Sequence, residues 1–265
     1  MEAEESLRRG EPEQALAQLQ DQVRREPANP RLRVFLFQLL ALLGRWERAL
    51  TQLKVAGELD SNSLLMVQTY REAIQCEALR AAVFEGRRTP LVFGDPSHWV
   101  ALLIEALRLE QEGRPADACA LRAQALEQAP ASAGTIDDQE FAWVADADSR
   151  LGPVLEAIVN GQYYWIPIHR VTRLEIEAPA DLRDLIWMPA QFFWVNGGNA
   201  SALIPTRYAG SDQSADPQIL MARKTEWTEI GANSYRGYGQ RLLATDRGDY
   251  PLMDVRRLQL TVAAE

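Results

Sequence analysis

A short pattern near the start of this chain returns 34 residues later: Gly10, Ala15, Leu16 and Leu19 align with Gly44, Ala49, Leu50 and Leu53. A fixed period of this size marks a helix pair repeated along a chain, because one pair cannot bury its apolar stripe until a neighbour stacks on it. Gly10-Glu11-Pro12 reads as a tight turn, with Pro at a helix-opening position where its missing N–H is harmless. Ala15 is small enough to let the two helices of a pair approach closely. Leu16, Leu19 and Val23 form a stripe at helical spacing. Pro27 and Asn29-Pro30 then break one helix before the next begins.

The period is that of tetratricopeptide repeats. A second unit opens with Leu32, Phe35, Leu36, Leu39, Leu40 and Leu43, apolar on most of its circumference, and turns at Gly44-Arg45-Trp46. The third is degenerate. Leu64, Leu65, Val67, Tyr70 and Ile74 give a helical face, but Ala78 stands where the turn glycine is due, and 86–96 reads as a loop. The fourth restores the pattern: Trp99, Leu102, Leu103, Ala106 and Leu109, a turn at Gly113-Arg114-Pro115, then Ala118, Leu121, Ala125 and Leu126 up to Pro130. Such an array holds another protein more readily than it makes or breaks bonds.

Beyond residue 133 the composition changes: five of the seven Trp and six of the seven Tyr lie there. The connector Ala129-Pro130-Ala131-Ser132-Ala133-Gly134 stops the last helix. We therefore expect two domains, helical repeats over 1–133 and an α+β domain over 134–265. In the second, Phe141 to Val159 reads as a helix broken near Gly152-Pro153. Tyr163 to Ile168 and Arg173 to Ile176 read as strands, and Ala180 to Leu185 as a helical turn. Phe192 to Val195 and Ala202 to Pro205, joined by Asn196-Gly197-Gly198-Asn199, form a predicted hairpin, since Asn-Gly supplies the positive φ angles its turn needs. Shorter strands are expected at Ile219-Leu220-Met221 and Trp227 to Ile230. The class is thus α + (α+β), with a mostly antiparallel sheet.

Charge and length narrow the function. A net charge of -9 opposes nonspecific binding to nucleic acid or to an anionic membrane. No apolar run approaches the roughly 18 residues of a membrane helix. The acidic, polar N-terminus is neither a secretory signal nor a transit peptide. Cys76 and Cys119 are too few for a disulfide framework or a four-thiolate zinc site. A cytoplasmic, soluble protein with no cofactor or metal is expected.

Catalytic signals are sparse. His98 and His169 are the only histidines and sit in no H-E-x-x-H arrangement, and no G-x-S-x-G elbow or phosphate loop is present. Asp146-Ala147-Asp148 beside Arg150 would suit a cation, but the further ligands of a calcium loop are missing. A helix-start cap with an internal Asp–Arg pair is the preferred reading. Tyr235-Arg236-Gly237-Tyr238-Gly239-Gln240-Arg241 is the segment that most suggests a small ligand: Gly237 and Gly239 would offer backbone N–H groups to an anion flanked by Arg236 and Arg241. A structural turn is the simpler reading. An enzyme or anion sensor built on this turn is the alternative function.

Five segments of the second half share a source. Asp146 to Glu156 (D-A-D-S-R-L-G-P-V-L-E), Gly161 to Pro167 (G-Q-Y-Y-W-I-P), Asp181 to Trp187 (D-L-R-D-L-I-W), Arg223 to Trp227 (R-K-T-E-W) and Tyr238 to Arg241 (Y-G-Q-R) resemble, in order, the ImpE family, also called TagJ or the SciE-type accessory family. The helical front half matches as well, so the likeness covers nearly the whole chain. The resemblance implies an accessory component of the bacterial type VI secretion machine. It also implies two partners: the N-terminal segment of the small contractile-sheath subunit, and the AAA+ ATPase that disassembles contracted sheaths. No enzymatic activity attaches to the family.

A non-catalytic adaptor of this kind would hold an amphipathic helix or extended peptide in a groove. If the groove is the concave face of the repeats, Arg31, Val34, Gln38, Gln68, Glu72, Gln75, Leu103 and Leu107 should line it. If it lies between the repeats and the aromatic half, Trp165 and Trp194 would anchor the peptide. The sequence leaves both open.

Overall fold

A computed structural model describes residues 2–95 and 97–261. It begins with α1 (Glu2–Arg8), α2 (Pro12–Arg25), α3 (Pro30–Leu42), α4 (Trp46–Leu59) and α5 (Leu64–Phe84). The first helix of each early unit ends in one hydrogen-bond pattern. The amides of Gly10 and Glu11 donate to Leu7 and Ser6, and one period later those of Gly44 and Arg45 donate to Ala41 and Leu40. This Schellman closure turns the chain back over the last carbonyls and needs a residue at positive φ, which Gly10 and Gly44 supply at +83° and +65°. Proline opens α2 and α3, and Asn29 caps α3 by accepting from the amides of Arg31 and Leu32.

The third unit has its turn glycine after all, but late. α5 runs for 21 residues, past Ala78, and closes at Gly86, where the amides of Gly86 and Arg87 donate to Val83 and Ala82. No second helix follows. The chain instead lays down β1 (Leu91–Val92) before α6 (His98–Gln111) and α7 (Pro115–Gln128), whose connecting turn at Gly113 repeats the closure.

The remainder is β2 (Gly134–Ile136), β3 (Gln139–Phe141), β4 (Val144–Asp146), β5 (Val154–Val159), β6 (Gln162–Pro167), β7 (Val171–Ile176), β8 (Trp187–Trp194), β9 (Asn199–Pro205), α8 (Pro217–Leu220), β10 (Thr225–Gly231), β11 (Ser234–Gly239), β12 (Leu242–Thr245), β13 (Asp249–Pro251) and β14 (Arg257–Leu260). One sheet runs β1-β6-β5-β9-β8-β7-β14-β2-β3. Its pairs are antiparallel except β1 on β6. The fold is therefore tetratricopeptide-like helices followed by a mostly antiparallel sheet.

Two expectations fail here. Phe141 to Val159 is no helix but the end of β3, then β4 and β5. Every residue of β5 is buried, because helices cover one face of the sheet and β4, β12 and the C-terminal segment cover the other. A strand buried on both faces loses its alternation and reads as an unbroken apolar run. Ile219-Leu220-Met221 is no strand, since Asp216 accepts from the Gln218 amide and Pro217 opens the short helix α8.

The sheet stands where the missing second helix of the third unit would pack. Tyr70 of α5 meets Trp187 of β8 at 5.7 Å between ring centroids, and Phe84 meets Trp165 of β6 at 6.1 Å. Trp165 and Trp187 are wholly buried. At 150–250 Å² each, such rings contribute about 4–6 kcal/mol of gross transfer free energy apiece.

Candidate functional site

α1, α3 and the α4–α5 junction enclose a groove of about 960 Å³. Leu7, Leu32, Val34 and Phe35 give it an apolar lining, and Leu182, from the turn before β8, closes it from the sheet side. Glu4, Arg8 and Arg31 are exposed around it. The sequence explains the placement. With α3 started at Asn29, residues 31, 34, 35 and 38 share one helical face. Asp181 and Asp184 form a capping box that fixes the turn at Leu182–Leu185, and Arg183 lies 4.7 Å over the Tyr70 ring. The groove is bounded by the repeats and by the second half together, as the second alternative placed it, but its second-half wall is Ala180 and Leu182 rather than Trp165 and Trp194.

Of the residues expected to hold a partner, Arg31, Val34 and Gln38 come together here. The others do not join them. Gln68 and Gln75 are exposed on α5, while Glu72 lines a separate cavity of about 460 Å³ between α5 and the sheet. Leu103 and Leu107 are 1% and 2% exposed, inside the core under α6. Trp165 is buried, its indole N–H donating to the Tyr163 hydroxyl at 2.9 Å. Trp194 is stacked between Phe93 and Phe192, at 4.1 and 5.1 Å. These four are core side chains and present no surface to a peptide. Covering both faces of the sheet turns its large rings inward, while Leu103 and Leu107 face the helical core from α6.

The anion turn is corrected in the same way. The Gly237 amide donates to Asp148 Oδ2 at 3.0 Å and that of Gly239 to Ser211 Oγ at 2.8 Å. Arg241 is fully buried and paired with Asp146 and Glu156. Arg236 lies over the Tyr238 ring at 4.9 Å. The Gly237 and Gly239 amides and Arg241, three of the four groups that would have received an anion, are already engaged within the protein.

These pairs belong to a buried ionic network that the sequence reading did not find. Arg80 of α5 grips Glu156 of β5 through Nε at 2.6 Å and Nη2 at 3.0 Å, and the Tyr163 hydroxyl donates to the same carboxylate at 2.5 Å. Arg150 holds Asp148 through Nε and Nη2, so the expected Asp–Arg pair exists, in a turn rather than at a helix start. Burial would raise the Glu156 carboxyl, but Arg80 and Arg241 outweigh it and hold it down at about 2. For Asp146 burial wins: sharing Arg241 with Glu156 and facing Asp148, it is pushed up to about 7. The signal available in the sequence was one charge, Glu156, inside the apolar run V-L-E-A-I-V. Among the described residues, no three His, Cys, Asp or Glu side chains gather to hold a metal ion, and no helix is long and apolar enough to cross a membrane.

Comparison with known proteins agrees with this architecture. Residues 138–259 match the ImpE protein family and residues 6–69 a tetratricopeptide repeat. The type VI secretion system accessory component TagJ of Pseudomonas aeruginosa is 53% identical over 258 residues, which is 97% of this chain and 90% of that protein. The crystal structure of protein VPA1032 from Vibrio parahaemolyticus superposes with a TM-score of 0.90 over 98% of both chains. At 23% identity that likeness speaks to the fold alone.

Proposed function

The chain belongs to the ImpE family, the family of TagJ, and on that footing we propose that it is a non-catalytic adaptor of a type VI secretion system. In the cytoplasm it holds the N-terminal segment of the small contractile-sheath subunit and associates with the AAA+ ATPase that disassembles contracted sheaths. The observation that carries this reading is the groove between α1, α3 and Leu182. An amphipathic helix docks through side chains at i, i+3, i+4 and i+7, and the half-buried Val34 and Phe35 offer it apolar surface over a floor that includes the buried Leu7 and Leu32. Arg31 adds an exposed cation beside them.

Isothermal titration of the full chain with a synthetic N-terminal peptide of the small sheath subunit tests the proposal. Saturable one-to-one binding is expected, and Val34→Asp should weaken it at least about tenfold by putting a charge against the docked apolar face. An absence of binding by the wild-type chain overturns the adaptor reading. Unchanged affinity in Val34→Asp moves the peptide out of this groove.

A further inference from the structure

Two arginines of the second half reach back to the repeats at equivalent places. Arg207, buried just after β9, donates to the Leu42 carbonyl at 2.9 Å. Arg223, just after α8, donates to the carbonyls of Leu7 at 3.0 Å and Arg8 at 3.2 Å. Arg8 and Leu42 are 34 residues apart, one repeat period. Both are the last residue of the first helix in their unit. Carbonyls there have no partner further along the helix and carry the negative end of its dipole, so a guanidinium is suited to cap them.

The turn glycines follow the same rule. A Cβ on Gly10 would come within 3.0 Å of Gln218 Nε2, and one on Gly44 within 3.0 Å of the Asp212 carbonyl and carboxylate. Segment 207–223 therefore fits against two successive turns of the array. Arg207 also donates to the Leu220 carbonyl at 2.5 Å, which ties the two capping arginines together through α8.

α1 and α3, the helices so capped, are the two helical walls of the groove. We propose that segment 207–223 is a clamp that sets the spacing of α1 and α3, and that Arg223 is a positioning residue for peptide capture. α1 has seven residues, too few to hold a helix by its own bonds. Arg223 is not part of the groove lining and supports α1 through the carbonyls of Leu7 and Arg8. Its link to affinity rests on the peptide-groove reading; its effect on α1 does not.

The test uses the full chain carrying Arg223→Ala or Arg223→Lys. Arg223 is exposed, so its replacement opens no cavity, whereas Arg207 is buried and its loss would confound folding with capping. In the free protein, hydrogen exchange of the α1 amides should quicken about tenfold in Arg223→Ala, the worth of one charge-assisted cap. The sheath-subunit peptide should bind that variant about tenfold more weakly, with Arg223→Lys within about threefold of wild type on both measures. Unchanged α1 exchange in Arg223→Ala overturns the clamp. Faster exchange with unchanged peptide affinity overturns the positioning role alone. A wild-type chain that binds no peptide defeats the adaptor reading and the positioning role, while the exchange result still decides the clamp.

Discussion

Glu156 is a carboxylate in the middle of a strand with no exposed residue, 76 positions from Arg80 and 85 from Arg241. Moving such an ion from water costs several kcal/mol even after relaxation, so it persists only because every lone pair is met by a guanidinium or the Tyr163 hydroxyl. The sequence exposes the oddity of that Glu but not its partners, since contacts across such separations leave no local pattern. The two carboxylates on Arg241 respond to acid in opposite directions. Asp146, pushed up to about 7 from roughly 3.9 in an unfolded chain, binds its proton more tightly when folded; stability rises as pH falls from about 7 towards 4. Glu156, held at about 2, contributes stability above its unfolded value of roughly 4.3 that is lost as pH falls through that range. Thermal melts of wild type and Asp146→Asn between pH 7.5 and 4.5 isolate the first effect. The acid-side gain in melting temperature should be present in the wild type and flattened in the variant. Parallel curves would count against it.

At the scale of elements, legibility followed local chemistry. The turns at Gly10, Gly44 and Gly113 and the hairpin at Asn196-Gly197 rest on contacts within a few residues, and the sequence specifies them. The β5 strand was misread because its burial is decided by layers contributed from elsewhere. Gly86 lies between these cases: the closure is local, but its position, eight residues late, depends on α5 extending to lie along the sheet. The same turn chemistry meets different surroundings at Gly86 and Gly113, which allows a controlled comparison. Both have positive φ, +69° and +74°. A Cβ at Gly113 meets nothing within 4 Å, whereas one at Gly86 would lie 2.5 Å from the Leu107 carbonyl oxygen. Gly113→Ala should cost only the left-handed backbone penalty of about 1 kcal/mol. Gly86→Ala must also displace α6 backbone, and we expect about 3 kcal/mol or more in urea denaturation. Equal losses would show that the α5–α6 contact yields without cost.

Across the whole molecule, composition suggests a division near residue 133, yet the packing ignores that line. One core joins Leu19, Phe37, Tyr70 and Val83 of the helices to Val154, Trp165, Trp187 and Leu203 of the sheet. β1, from between α5 and α6, completes the sheet edge on β6. Arg80 and Glu156 close a buried charge pair across the same boundary, and Arg207 and Arg223 cap helices from beyond it. Separating the halves would leave buried charges without partners and two large indoles in water, a loss comparable with the 5–15 kcal/mol that holds an ordinary domain together. The chain should therefore unfold in one step. Five of its seven tryptophans lie beyond residue 133, so indole fluorescence follows mainly the sheet, while ellipticity at the helical band follows the repeats. The two signals should give coincident midpoints in urea, and residues 1–133 expressed alone should lack a cooperative transition. Two resolved midpoints, or a cooperatively folding 1–133 fragment, would mean that the repeats and the sheet are independent bodies, and a groove built from both would then have no fixed shape to offer a peptide.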